Sequence, residues 1–128
     1  MDEWHARNDD LVREIDQLVV EARPELEYAL DGKSSNPEAP PVSHERSAMW
    51  SQGGSFVSVA FYGEDGEEVR VSARHPAPPL QPGERLEDRI AAERRDGRRL
   101  DNRWMPRNAQ TIADIVVAFL VNGSVHIQ

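Results

Sequence analysis

Between Ser55 and Arg74 the chain carries two β-rich runs around Gly63-Glu64-Asp65-Gly66, and only one way of pairing them separates apolar from polar side chains. A two-residue Asp65-Gly66 turn sets Val57 against Arg74 and Phe61 against Arg70. A three-residue Glu64-Asp65-Gly66 loop, with Gly66 in the left-handed position, sets Phe61 against Val69, Val59 against Val71 and Val57 against Ala73. The other face then holds Tyr62 against Glu68, Ala60 against Arg70 and Ser58 against Ser72. A one-residue slip would turn every side chain to the wrong face, so the second register is expected.

The apolar face of such a hairpin needs a cover, and the C-terminal third supplies one. Asn108 suits the N-cap of a helix in which Ile112, Ile115, Val116, Phe119 and Leu120 recur at i, i+3, i+4, i+7 and i+8. Val117, Ala118 and Val121 widen the stripe, which predicts a core helix lying across the sheet. Asn122-Gly123 caps it, and Val125-His126-Ile127 alternates like a short last strand. Near the start, Asn8 or Asp9 is placed to cap a helix with Leu11, Ile15, Leu18, Val19 and Ala22 on its inner face. Its outer face carries Asp10, Glu14, Gln17 and Glu21. Arg23-Pro24 marks a kink or a restart, after which Leu26 and Leu30 continue the apolar stripe until Asp31-Gly32 ends it.

Residues 32–45 have the Ser, Asn and Pro composition of a flexible connecting loop. His75-Pro76-Ala77-Pro78-Pro79 stops the second strand, Gly83 to Asp96 reads as a short helix anchored by Leu86 and Ile90, and Arg98 to Met105 reads as a third strand with Leu100, Asn102 and Trp104 on one side. The fold class is therefore α+β in one domain spanning 1–128: an N-terminal helix, an antiparallel β-hairpin or meander, a buried C-terminal helix and a short last strand.

The chain has no cysteine, so neither disulfides nor thiolate metal sites hold it, and a cytoplasmic location is expected. Its start, Met1-Asp2-Glu3-Trp4-His5, lacks the pattern of a secretory signal, and no apolar run is long enough to span a bilayer. His5, His44, His75 and His126 are isolated, without the i, i+4 spacing of a helical metal site. Gln52-Gly53-Gly54-Ser55-Phe56 lacks the flanking glycines of a nucleophile elbow, and no phosphate-cradling glycine loop occurs. The paired acids (Asp9-Asp10, Glu64-Asp65, Glu67-Glu68, Glu87-Asp88) are adjacent in sequence, and adjacent residues do not converge on one site from a regular helix or strand. No catalytic, cofactor-binding or metal-ligating set is expected.

Charge is the remaining signal. The net charge of −8 falls entirely within Met1 to Glu45, where 12 acidic residues face 4 basic ones, while the rest of the chain is neutral. The eight arginines from Arg85 to Arg107 are interleaved with acids and form a solvated mixed-charge face, so direct nucleic-acid binding is not expected. The acidic helix is the candidate docking face for a basic protein. Asp10, Glu14, Glu21, Glu25 and Glu27 supply its charge, with Trp4 or Tyr28 as an aromatic anchor.

Trp104-Met105-Pro106, followed by Ala109, Ile112, Ile115, Val116 and Ala118-Phe119-Leu120-Val121-Asn122-Gly123, resembles the ending of a family of small immunity proteins found beside bacterial polymorphic toxins, many of them nucleic-acid deaminases. Where that family tends to continue to a proline and a tryptophan, Val125-His126-Ile127-Gln128 stand here. The resemblance implies an α+β non-enzyme that binds a cognate toxin and blocks its active site or substrate groove. Beside it, the acidic face makes that partner a basic protein, no cofactor and no membrane contact are expected, and the free protein is expected to be a monomer or weak dimer. Two alternatives are an acidic secretion chaperone or other adaptor, and a small enzyme whose site is assembled from dispersed polar residues.

Overall fold

The computed structural model describes residues 3–31, 46–61 and 68–126; the side chains of residues 3–6, 30, 31 and 46 lie outside that description. The elements are α1 (Glu3–Ala22), β1 (Glu27–Asp31), β2 (Arg46–Gln52), β3 (Ser55–Phe61), β4 (Glu68–Arg74), α2 (Leu86–Arg95), β5 (Arg99–Pro106) and α3 (Ala109–Val117), the last prolonged by a π-helical turn over Ala118–Asn122. The architecture is α+β. The strands pair in chain order, each antiparallel to the next, so the sheet is a meander with β1 and β5 at its edges.

The central hairpin has the expected register: Val57 opposes Ala73, Val59 opposes Val71, Ser58 opposes Ser72 and Ala60 opposes Arg70. Its loop, with Tyr62 and Glu64-Asp65-Gly66, lies outside the described residues, as do residues 32–45, which composition marks as a connector. The β2–β3 turn is a tighter case. Gly53 and Gly54 have φ of +59° and +88°, the left-handed pair that a two-residue hairpin turn requires.

One face of the sheet is the core. Ala48 and Trp50 of β2, Val57, Val59 and Phe61 of β3, and Val69, Val71 and Ala73 of β4 are all buried and share that face through the strand register. They form one cluster with Leu11, Val12, Ile15 and Val19 of α1 and Ile112, Ala113, Ile115, Val116, Phe119 and Leu120 of the final helix, and α1 packs directly on α3. Burying a side chain of the size of Val or Ile in such a cluster stabilises by about 1.5–3 kcal/mol before entropy is counted. The cap of α3 forms as its sequence predicts: Asn108 Oδ1 accepts from Thr111 N at 3.0 Å, and Gly123 closes the helix at φ +88°.

Four local expectations are corrected. The chain after Pro24 does not restart as a helix; it turns and becomes strand β1, with Tyr28 opposite Trp50 and Leu30 opposite Ala48. Leu26 and Leu30 are four apart, a spacing that puts residues on one side of a strand as well as of a helix, and pairing with β2 decides between them. Asn8 and Asp9 do not cap α1. The helix begins at Glu3, and Asn8, 1 % exposed, is the polar member of the buried stripe that continues through Leu11, Val12, Ile15 and Val19. The last described residues, Ser124 to His126, are not a strand; Val125 N donates one backbone bond to Gly97 O at 2.9 Å. Finally, β5 carries one extra residue between the pairs Ala73–Leu100 and Val71–Arg103. This bulge separates residues that simple alternation would align: Leu100 and Met105 face the core with Ala73 and Val69, while Trp104 stands opposite Arg70 on the outer face and is 49 % exposed.

Asn102 sits in the bulge with φ +47°, and there its N–H donates to Ser72 Oγ at 3.1 Å while its Oδ1 accepts from the same hydroxyl at 3.2 Å. The left-handed backbone strongly disfavours a β-branched residue. Asn102→Val is expected to lower unfolding stability by about 1–2 kcal/mol, whereas Asn102→Gly stays within about 0.5 kcal/mol of the parent, both read from urea denaturation midpoints.

Candidate docking surface

The acids of α1 stand where the helical period places them. With Ile15 and Val19 locked in the core, Asp10, Glu14, Gln17 and Glu21 are all exposed on the opposite face. Two of these charges are partly answered on the helix itself, Asp10 by Arg13 at 3.2 Å and Glu21 by Gln17 at 3.5 Å, but both contacts are exposed and energetically slight. Glu25 lies in the turn after the helix. Its own backbone N–H, and then Arg23 at 2.6 Å, hold its carboxyl below the usual carboxylate range, so it stays charged.

The remaining sequence candidates separate. Glu27 and Tyr28 are neighbours on β1 and so project to opposite faces of the sheet. Tyr28 turns toward α1, where Asp9, Val12, Arg13, Asp16 and Tyr28 line an open groove of ≈ 250 Å³ between helix and edge strand. Glu27 is exposed on the side away from the helix. The Trp4 backbone belongs to α1, and its side chain is outside the described residues.

Beneath that groove is a contact sequence reading did not find. Trp50, fully buried on β2, donates its indole N–H to Asp16 Oδ1 at 3.0 Å, and Tyr28 packs on the same ring at 5.4 Å between centroids. Asp16 and Trp50 are 34 residues apart, a distance at which no local pattern signals contact. A second long-range tie joins Asn8 Oδ1 to Arg107 Nη2 at 2.7 Å, with Arg107 also lying over Phe61. Together they fix the rotation of α1 on the sheet, and hence the direction in which its acids point.

The histidines resolve differently. His44 is outside the described residues, and no group of three metal-ligating side chains gathers among the described ones. His75 stacks on Phe119 at 4.0 Å; its Nε2 lies 2.7 Å from Gly123 O and its Nδ1 2.6 Å from Ser55 Oγ. A carbonyl oxygen only accepts, so Nε2 donates to Gly123 O, and Nδ1 is left to face the Ser55 hydroxyl. His126 lines a trough of ≈ 550 Å³ between β5 and α3 together with Asp114, Arg103 and Thr111. Among the described residues no hydrogen bond joins His126 to Asp114, whose carboxylate accepts from Gln110 at 2.8 Å.

Arg85, Arg89, Arg94 and Arg99, around α2 and β5, are held by acids. Arg89 pairs with Glu84 at 2.5 Å and also donates to the carbonyls of Pro78 and Pro79, Arg85 pairs with Glu87 at 2.8 Å, and Asp101 accepts from both Arg94 and Arg99 at 2.9 Å. Arg89 reaches back to Glu84 and Arg99 toward Glu93, rather than forming the Arg89–Glu93 helical pair that the spacing offers.

Burial alone would raise the Asp101 carboxyl, but hydrogen bonds from Arg99 and then Arg94 outweigh it and leave the pKa below its ordinary value. A carboxyl depressed in the folded state contributes stability that is present at neutral pH and is lost as pH falls through the folded pKa. Asp101→Asn should therefore lower stability by roughly 0.5–1 kcal/mol at pH 7, with the gap to the parent closing below about pH 4 in urea titrations across pH. No protein-family model, no curated protein and no solved structure matches this chain.

Proposed function

We propose that this is a non-catalytic binding protein whose outer α1 face docks a basic protein, and that the partner is the cognate toxin of an immunity pair. The observation that carries the reading is the rigid presentation of charge. Asp10, Glu14 and Glu21 project from a helix whose inner stripe is packed in the core and whose rotation is tied by Trp50–Asp16 and Arg107–Asn8. A fixed row of carboxylates is suited to a toxin surface built to hold a nucleic-acid backbone, where it raises the association rate and is screened by salt. The groove beside Tyr28 offers the aromatic contact that slows dissociation.

A second reading, a small hydrolase, draws on one contact chain. Ser55, His75 and the Gly123 carbonyl line up as nucleophile, base and orienting acceptor. Covalent labelling of the protein by a fluorophosphonate, abolished by Ser55→Ala, would favour it over docking.

The first reading predicts that a neighbouring gene encodes a toxin domain and that coexpressing the present protein with that domain protects growth; a neighbour without a toxin domain, or no protection, would count against it. Reversing Asp10, Glu14, Glu21 and Glu25 to Lys should slow association about tenfold or more at low salt and flatten its salt dependence, with circular dichroism unchanged. Binding that survives the reversals at the same rate and salt dependence would show the acids to be merely solvated.

A further inference from the structure

The segment that follows β4 has proline at positions 76, 78, 79 and 82, and three of these, Pro76, Pro79 and Pro82, recur at i, i+3 and i+6. Each proline ring holds its own φ near about −65°, and each confines the residue before it, here His75, Ala77, Pro78 and Gln81, to extended backbone. The chain over residues 75–81 runs without helix, strand, turn or bend, and no peptide bond among the described residues is cis. An extended proline run of this kind is a left-handed polyproline II helix. Its three residues per turn line Pro76, Pro79 and Pro82 along one ridge, with Ala77 and Leu80 along the next. The run ends at Gly83, whose φ of +84° turns the chain while Glu84 N donates to Gln81 O at 2.9 Å.

The segment is both exposed and braced. Every residue from Pro76 to Asp88 is exposed, and the apolar Leu80 and Leu86 stand beside the prolines at 43 % and 56 % exposure. Arg89 of α2 donates to the carbonyls of Pro78 and Pro79 and pairs with Glu84 at 2.5 Å, while Glu84 Oε1 also accepts from Gln81 N at 3.0 Å. The Gln81 N–H, and then Arg89, hold the Glu84 carboxyl below its ordinary pKa, so the brace stays charged at neutral pH. A segment fixed in this way has little conformational entropy left to lose on binding. Its four prolines carry no N–H and that of Gln81 is already used, so a partner covering the segment has few backbone donors to satisfy.

We propose that residues 76–82 are a preformed ligand for an aromatic-lined groove on a partner protein, with the Pro76-Pro79-Pro82 ridge seated between aromatic rings and Leu80 packed beside them. Such grooves take polyproline II segments because stiff, donor-poor proline rings pack on flat apolar rings at low entropic cost. Charge favours an apolar occupant over a charged one. From Arg74 to Arg89 three arginines meet three acids, and Arg85 with Glu87 and Arg89 with Glu84 are ion pairs, so the ridge sits in a neutral stretch. The surface belongs to the β4–α2 connection and uses none of the α1 acids.

The test titrates the whole protein, isotopically labelled for NMR, with two isolated domains that have aromatic proline grooves, an SH3 domain and a WW domain. Saturable shifts of the Ala77, Leu80 and Gln81 amides with at least one domain, at a dissociation constant of about 10–500 μM, are expected. Pro79→Ala and Pro82→Ala, both at exposed positions, should each weaken binding about fivefold or more, and Arg89→Ala about threefold or more by freeing the segment before it binds. Affinity should change by less than about twofold between about 50 and 500 mM salt, unlike docking through α1. Reversing Asp10, Glu14, Glu21 and Glu25 to Lys should leave this binding unchanged, so the two surfaces succeed or fail separately. Absence of saturable shifts up to about 1 mM with both domains overturns the proposal. Binding that survives both proline substitutions at the parent affinity, or that the α1 reversals abolish, also overturns it.

Discussion

The valines of β3 and β4, with Trp50 beside them on β2, make one sheet face that water solvates poorly and that helices can cover only if both ends of the chain return to it. α1 and α3 are those ends. Each brings an apolar stripe, and packing the two side by side on that face completes a two-layer arrangement. The acids of α1 face outward because the opposite stripe is committed to this core. The trough beside β5 exists because α3 lies across the sheet and the meander ends there.

What could be read beforehand was whatever a short window settles. The β3–β4 register followed from segregating Val57, Val59 and Val71 from Ser58 and Ser72, and the cap and stripe of α3 followed from Asn108 and its spacing. The misreadings share a cause, which is that each local signal had two physical solutions. A leucine pair four apart suits helix and strand alike, so β1 was hidden until β2 was available to pair with it. Asn8 has the chemistry of a cap, but a buried asparagine answered by Arg107, 99 residues away, serves as well. The bulge at Asn102 reverses side-chain alternation by one residue, and nothing in the local hydrophobic pattern marks where the count changes.

The candidate site was legible in charge but not in shape. Helical spacing assigns Asp10, Glu14 and Glu21 to one face correctly, because that face is defined by the residues opposite it. It extends the same row to Glu25 and Glu27, and there the change from helix to strand breaks the row and turns Glu27 away from α1. Grooves are harder to foresee, since each is a space between elements distant in sequence. Asp16 meets Trp50 and Tyr28, and Met105 comes near Ile115 only after two layers have assembled. Arginine-rich composition was informative chiefly through its interleaved acids, which hold Arg85, Arg89 and Arg94 in ion pairs.

The contact between α1 and α3 also bears on how the protein opens. The strands of the meander meet neighbours close in the chain, whereas the helix pair closes a loop of nearly the whole domain, so its seating carries a larger chain-closure entropy than any strand pairing of the meander. The helix that displays the acids is thus a natural element to detach as a unit when the domain breathes. Any protein that grips that helix in its seated position suppresses this opening, and so protects the joint between the two ends of the chain without touching α3.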